Sequence, residues 1–319
     1  MQPRARHRTR DEAVFVLVLN GTELTGSLMA RKVPILIALL PSLILAWPVS
    51  GVERTAPVPD LSGAWARTTF ALEPPKSGPG PLRDSQRRPT DKPAYASPML
   101  KPEAAALVKQ RYESTQAGKP FPTPSSTCWP MVAPLIFRVQ EMQLLQTKDH
   151  VTLIYMQDHE VRRVRLNAEH PAHVTPSWHG DSVGHYDGNT LVVDTIGMKV
   201  GPVSIIDQAG SPYSAALHVT ERYRLVSYEE AKAASERNVQ VNGPPGTQQA
   251  AAIDPRYRGN GLQVEFTVED PNVFKTAWSG TATYNKADDI WVENVCAENM
   301  HEYYNNRNTA VPTAAKPDF

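Results

Sequence analysis

Two histidines, His179 and His185, and three aspartates, Asp181, Asp187 and Asp194, fall within residues 178–195, WHGDSVGHYDGNTLVVDT. An imidazole beside a carboxylate is the working unit of general acid–base catalysis. The candidate pair is His185 (or His179) with Asp194 (or Asp181). The same side chains are ligand types for zinc or iron. On one extended strand positions 179, 181 and 185 share a face, but 179 and 185 stand about 20 Å apart by strand rise. They cannot both bind one ion unless the arm bends at its glycines, and no metal site is expected. Glu293, Glu298 and His301 near the C-terminus read as a solvated face rather than further ligands.

The run also contains Gly180-Asp181-Ser182-Val183-Gly184, the G-x-S-x-G of a nucleophile elbow. That motif works only where a strand turns sharply into a helix. Here a second strand follows, so Ser182 is not expected to be a nucleophile. The glycines are expected to leave bare backbone over which a neighbouring Trp or Tyr packs. No phosphate loop or dinucleotide fingerprint is present, and no cofactor is expected.

The element that positions these groups is a β-hairpin. Asp187-Gly188 tolerates the positive φ angles of a tight turn and precedes the β-branched arm 190–195. A two-residue loop pairs Tyr186 with Asn189, Gly184 with Leu191, Ser182 with Val193 and Asp181 with Asp194. Tyr186, Gly184 and Ser182 then share one face with Leu191, Val193 and Thr195. His185, Val183, Asp181 and His179 share the other with Val192, Asp194 and Ile196. Facing carboxylates need a cation, a proton or solvent to be tolerated. A three-residue loop instead puts Asp194 beside Ser182.

A second candidate lies at 218–222. Strand alternation places Glu221 with the apolar Leu217, Val219, Tyr223 and Leu225, and His218, Thr220 and Arg222 opposite. A carboxylate among apolar neighbours needs a partner or a raised pKa. The partner is expected to be an arginine from another strand, such as Arg162 or Arg163. The alternative is a general acid–base role for Glu221.

Residues 178–195 resemble the signature W-x-G-x-S-x-G-(H/R)-(W/Y)-(D/E)-G-(D/N)-T-L-V-V-D-T of a large family of secreted bacterial proteins to which no function is assigned. Other matching pieces are Asp60-Leu-Ser-Gly-Ala-Trp65, Cys128-Trp-Pro130, His170-Pro171, His218-Val-Thr-Glu-Arg222, Glu269-Asp-Pro271 and Cys296-Ala-Glu-Asn299. The likeness covers roughly residues 60–300. Asn189 and Asp187 stand where Asp and Glu are common, and 227–260 is longer than usual. The resemblance implies a secreted, β-rich domain and carries over no catalytic residue.

Size and charge narrow the partners. The chain has 319 residues, with 33 Lys plus Arg against 33 Asp plus Glu. Zero net charge argues against nucleic acid as a main partner. Residues 1–28 read as a misplaced upstream extension, with Met29 as the true start. A basic Arg31-Lys32, an apolar run 33–47 and small residues to Gly51 make 29–51 a secretory signal peptide, the alternative being an uncleaved anchor. The mature protein is expected in the periplasm or outside the cell, with no stable membrane span and an undetermined oligomeric state. In that compartment Cys128 and Cys296 are expected to pair, two buried free thiols being the alternative.

Proline numbers 29 in all, and the cluster in 52–134 makes that region an extended wrap with a first strand and one helix at 102–116. Gly63-x-Trp65 resembles the start of lipocalin-like barrels, although an ordinary core Trp fits equally. Strands are expected at 135–146, 151–156, 161–166, 217–225, 262–269, 275–284 and 290–296. Ser227-Tyr-Glu-Glu230 is a capping box for a second helix to about Arg237, inside an insertion spanning 227–260. The domain at 135–300 reads as mainly β, an antiparallel lipocalin-like barrel or sandwich, with a flexible tail at 301–319. The expected ligand is a small apolar or aromatic molecule in the barrel mouth, contacted by Trp65, Trp178, Tyr186 and Trp278 with His218 and Arg222 as polar anchors. The alternative is a hydrolase, lyase or isomerase of the same fold using the His/carboxylate groups.

Overall fold

The structure, a computed structural model, describes residues 58–67, 69, 71–82, 93–119, 121–138, 141–242, 253–288 and 293–296. The upstream extension, the signal peptide, the tail, Glu298 and His301 lie outside the described residues.

Nine strands close into a barrel in chain order. They are β1 (Gly63–Ala66), β2 (Glu141–Gln146), β3 (His150–Tyr155), β4 (Val161–Leu166), β5 (Asp181–Asp187), β6 (Thr190–Ile196), β7 (His218–Val226), β8 (Gly261–Glu269) and β9 (Trp278–Lys286). The period-2 pattern explains the closure. On β8, Leu262, Val264, Phe266 and Val268 are no more than 2% exposed, while Glu265 and Glu269 face water. β8 thus turns an apolar row inward and a mostly polar row outward, as strand alternation allows. Last pairs with first: β9 lies antiparallel to β1 through Trp65 and Lys286.

Every ladder is antiparallel except one. β4 and β5 run parallel, with Val164 opposite Ser182. A parallel pair needs a crossover, and residues 167–180 supply it without a helix. They run down the outside of the barrel.

Among the described residues three α-helices decorate the wall: α1 (Pro102–Gln116), the single turn α2 (Pro124–Thr127) and α3 (Tyr228–Asn242). α1 matches its expected limits. The Glu230 amide donates to Ser227 Oγ at 3.2 Å, but the Glu230 carboxylate turns to Arg224 at 2.8 Å, so only half of the capping box forms. α3 continues past Arg237, whose side chain and that of Asn238 reach Glu73.

The expected strand 135–146 splits. Leu135–Arg138 is a 3₁₀ turn with Leu135, Ile136 and Phe137 all at most 1% exposed. Three consecutive buried residues cannot alternate, so they plug the lumen instead, with Phe137 against Tyr223 and Phe266. Tyr284 Oη and Arg67 Nη1 donate to the Phe137 carbonyl. The C-terminal strand expected at 290–296 is not seen either: Glu293, Asn294 and Val295 are irregular, and 290–292 lie outside the described residues. Cys296 is disulfide-bonded to Cys128, with Cα atoms 5.5 Å apart. The bond ties the Pro-rich wrap to the end of the barrel domain. Among the described residues no helix is long and apolar enough to cross a membrane.

The hairpin turns one residue later than expected. Gly188, at φ 59°, and Asn189 form its loop, so Asp187 pairs with Thr190, Gly184 with Val193 and Ser182 with Thr195. The register is offset by two, which leaves every side chain on its expected face. Asp181 now opposes Ile196 and Asp194 opposes Val183, relieving the head-on meeting of the two aspartates.

Candidate functional site

Asp181 and Asp194 stand diagonally on the outer face of the β5–β6 hairpin, and the crossover lays His170 between them. His170 Nδ1 is 2.6 Å from Asp181 Oδ2, and its Nε2 is 2.8 Å from Asp194 Oδ1. Arg165 on β4 donates to both Asp181 oxygens at 2.9 and 2.7 Å. On the other side His218 Nε2 lies 2.7 Å from Asp194 Oδ2, and His218 Nδ1 lies 3.2 Å from Glu269 on β8. The result is a single chain, Arg165–Asp181–His170–Asp194–His218–Glu269, stretched across five strands.

Both His170 nitrogens face carboxylate oxygens, an arrangement that favours the doubly protonated ring, since only the imidazolium donates from both. Partial burial opposes the charge, but hydrogen bonds to Asp181 and Asp194 outweigh it and hold the His170 pKa above its ordinary value. Burial likewise works to raise Asp194; donation from His218 and His170 overcomes it and leaves the carboxyl below its usual range.

The crossover is pinned along its length. The Asn167 amide donates to Gly184 O at 2.7 Å, that of Ser177 to Gly197 O at 3.2 Å and that of Lys199 to Ser177 O at 2.8 Å. Gly180, at φ 66°, bends the chain just before β5. His179 thereby leaves the face of Asp181 and meets Glu160 at 3.1 Å, its ring stacked on Tyr155. Burial raises the Glu160 pKa against the pull of His179.

Inside the barrel, Glu221 receives Arg162 Nη1 at 2.9 and 3.0 Å, the first of the two arginines expected. Arg162 Nε also donates to Ser182 Oγ at 3.0 Å, Arg162 Nη2 reaches Thr195 Oγ1, and Tyr223 Oη donates to Glu221 at 2.8 Å. Ser182 is a member of this network, 3% exposed near the start of β5 and followed by strand rather than helix, so it is no elbow. A Cβ on Gly184 would stand 2.9 Å from both Val164 Cγ1 and the Val192 carbonyl. The glycine thus admits an aliphatic neighbour and backbone, not the Trp or Tyr expected.

The other candidates scatter. His185 is exposed, opposite Val192. Trp65 and Trp278 are core residues at 3% and 1% exposure. Tyr186 Oη accepts from Gln146 at 2.7 Å. Trp178 packs edge-on against Trp129 outside the barrel, and Arg222 pairs with Asp187 at 2.9 Å. The six expected ligand contacts therefore do not converge, while Asp181, Asp194 and His218 do. His170, Arg165 and Glu269 complete that chain. Alternation could have put Glu269 on the His218 side, but nothing in a 14-residue irregular loop signals where His170 lands. Among the described residues no group of three or more His, Cys, Asp or Glu is arranged to hold a metal ion.

One cavity stands apart from the ion chain. About 210 Å³ opens between α3, residues 253–261 and the end of β9, lined by Tyr228, Lys232, Tyr257, Arg258, Asn285 and Lys286 among others. Arg258 lies over the Tyr228 ring at 5.3 Å, and Lys286 over Trp65 at 4.9 Å. Comparison with protein-family models, with curated proteins and with solved structures found no match.

Proposed function

We propose that this is an exported protein that binds a small aromatic molecule, held beside the barrel end rather than in the lumen. The observation that carries the reading is the 210 Å³ cavity with Tyr228 and Tyr257 in its wall. Aromatic walls with a few polar groups are the usual make-up of small-ligand sites. The lumen is a poor competitor, since Phe137, Tyr155, Tyr223 and Tyr284 occupy it at 0% exposure. Export rests on the signal-like segment 29–51 and on the family resemblance. Native mass spectrometry of the exported protein tests the reading. The expected result is an added organic mass in the wild type that is lost in Tyr257→Ala. Bare masses for both, with no thermal shift from a panel of aromatic compounds, would refute it.

A second reading is favoured by the position of Asp194 between two imidazoles. In it the protein is an acid–base enzyme. His218, the more exposed ring at 34% against 20% for His170, transfers the proton through Nδ1, which exchanges Glu269 at 3.2 Å for substrate, while Asp194 orients it through Nε2. Asp194→Asn should then remove turnover and spare the fold. Loss of folding would instead assign the chain to holding the crossover.

A further inference from the structure

We propose that the cavity beside α3 takes an anion, a small aromatic carboxylate whose charged end meets Arg258, with Lys286 adding positive charge at the rim; the proposal rests on the binding reading above and names its ligand class.

The charge of the lining supports this. Lys232, Arg258 and Lys286 face Asp254 as the only acid among the described lining residues. Asp254 is engaged locally, accepting the Arg256 amide at 2.9 Å. Lys232 is partnered by Glu236 one helical turn away at 3.7 Å. Neither Arg258 nor Lys286 has a carboxylate within ion-pair distance among the described residues.

Both cations are nevertheless held in place. Arg258 Nη1 donates to the carbonyls of Pro255 and Tyr257, each at 2.8 Å, and its guanidinium covers Tyr228. Its Nε and Nη2 make no hydrogen bond among the described residues. That free edge is the one that grips a carboxylate with two parallel bonds. Lys286 is fixed over Trp65, and a Cβ on Gly63 would collide with its ammonium group. Gly63 therefore keeps the space in which the Lys286 head sits. Pre-positioned donors of this kind lower the ordering cost of binding.

Size and shape add the aromatic part. The 210 Å³ cavity has room for about seven waters at about 30 Å³ each. That suits one ring bearing a carboxylate. Tyr228 and Tyr257 supply ring surface, and Asn285, tied to Ser235 at 2.9 Å, keeps an amide oxygen for a ring hydroxyl.

Isothermal titration of the full chain with benzoate and with its neutral analogue benzyl alcohol tests the proposal. Benzoate is expected to bind at least tenfold more tightly. Arg258→Gln should bring the two ligands within about twofold, with the thermal midpoint little changed because Arg258 is exposed and its two hydrogen bonds run to carbonyls within three residues of it. Equal binding of both ligands to the wild type, or a preference for benzoate that survives in Arg258→Gln, would overturn the anion and leave an aromatic-binding cavity standing. Binding of neither would overturn this proposal and the binding reading together.

Discussion

Arg162 reaches Glu221 across the barrel lumen with neither side chain more than 2% exposed. Each charge is costly to bury, and each is tolerated because the other is there. Removing one leaves the other stranded, at about 3–5 kcal/mol. Glu221→Gln and Arg162→Met should each lose stability of that order in urea unfolding. The paired change Arg162→Met with Glu221→Leu should recover most of it. A double variant no better than the singles would show that Ser182, Thr195 and Tyr223, rather than the charge pair, set the cost.

The His170 clamp should depend on pH from both sides. Its folded pKa is raised, so its contribution is complete below the unfolded value of about 6.5 and fades as pH rises through the folded one. Asp194 is lowered, so its contribution is present above about 3.9 and fades as pH falls further. His170→Gln should cost about 1–2 kcal/mol near pH 6, since charge-assisted hydrogen bonds are lost, and clearly less at pH 9. Limited proteolysis within 167–180 reads the same event. A difference between variant and wild type that stays constant with pH would exclude the charged clamp.

Glu141 behaves in the opposite sense to Asp194. It is 4% exposed, and burial with Asp288 nearby pushes its pKa up to about 7. A raised carboxyl favours the folded state only while protonated, so stability falls as pH rises from about 4.5 to about 7. Glu141→Gln should therefore gain about 1–2 kcal/mol at pH 8 and almost nothing at pH 4. Destabilisation at both pH values would mean that the ionised form has a partner.

Loss of the Cys128–Cys296 bond should cost about 2–4 kcal/mol, somewhat less if the reduced chain stays compact. The effect should be local as well. The Cys296 amide donates to Asp158 at 3.2 Å and Asn294 accepts from the Asp158 amide at 3.4 Å. Cys128→Ala with Cys296→Ala should speed hydrogen exchange at 157–159 before the barrel strands respond.

Period-2 alternation made much of this fold legible. It placed Glu221 inside and pointed to Arg162, and it put Asp181 and Asp194 on one outer face. The faces survived an error in the turn because a slip of two residues conserves them. What alternation cannot report is irregular chain. His170 reaches its place through a loop with no periodicity, and Leu135-Ile136-Phe137 reads as a strand although it is a plug. The parallel β4–β5 pair was hidden for the same reason, since its crossover carries no helix to announce it. Convergence of Trp65, Trp178 and Trp278 was expected from residue type alone, and residue type does not fix position.

The pairing of β9 with β1 has a consequence for how the barrel comes into being. Trp65 and Lys286 belong to opposite ends of the domain's sequence. A chain delivered N-terminus first holds β1 with one edge unsatisfied until the last strand has emerged. Pairings this distant in sequence form slowly and leave strand edges open to other chains. The seam between β1 and β9 is thus where two half-made molecules would join in error, and where a helper that shields nascent strands would act.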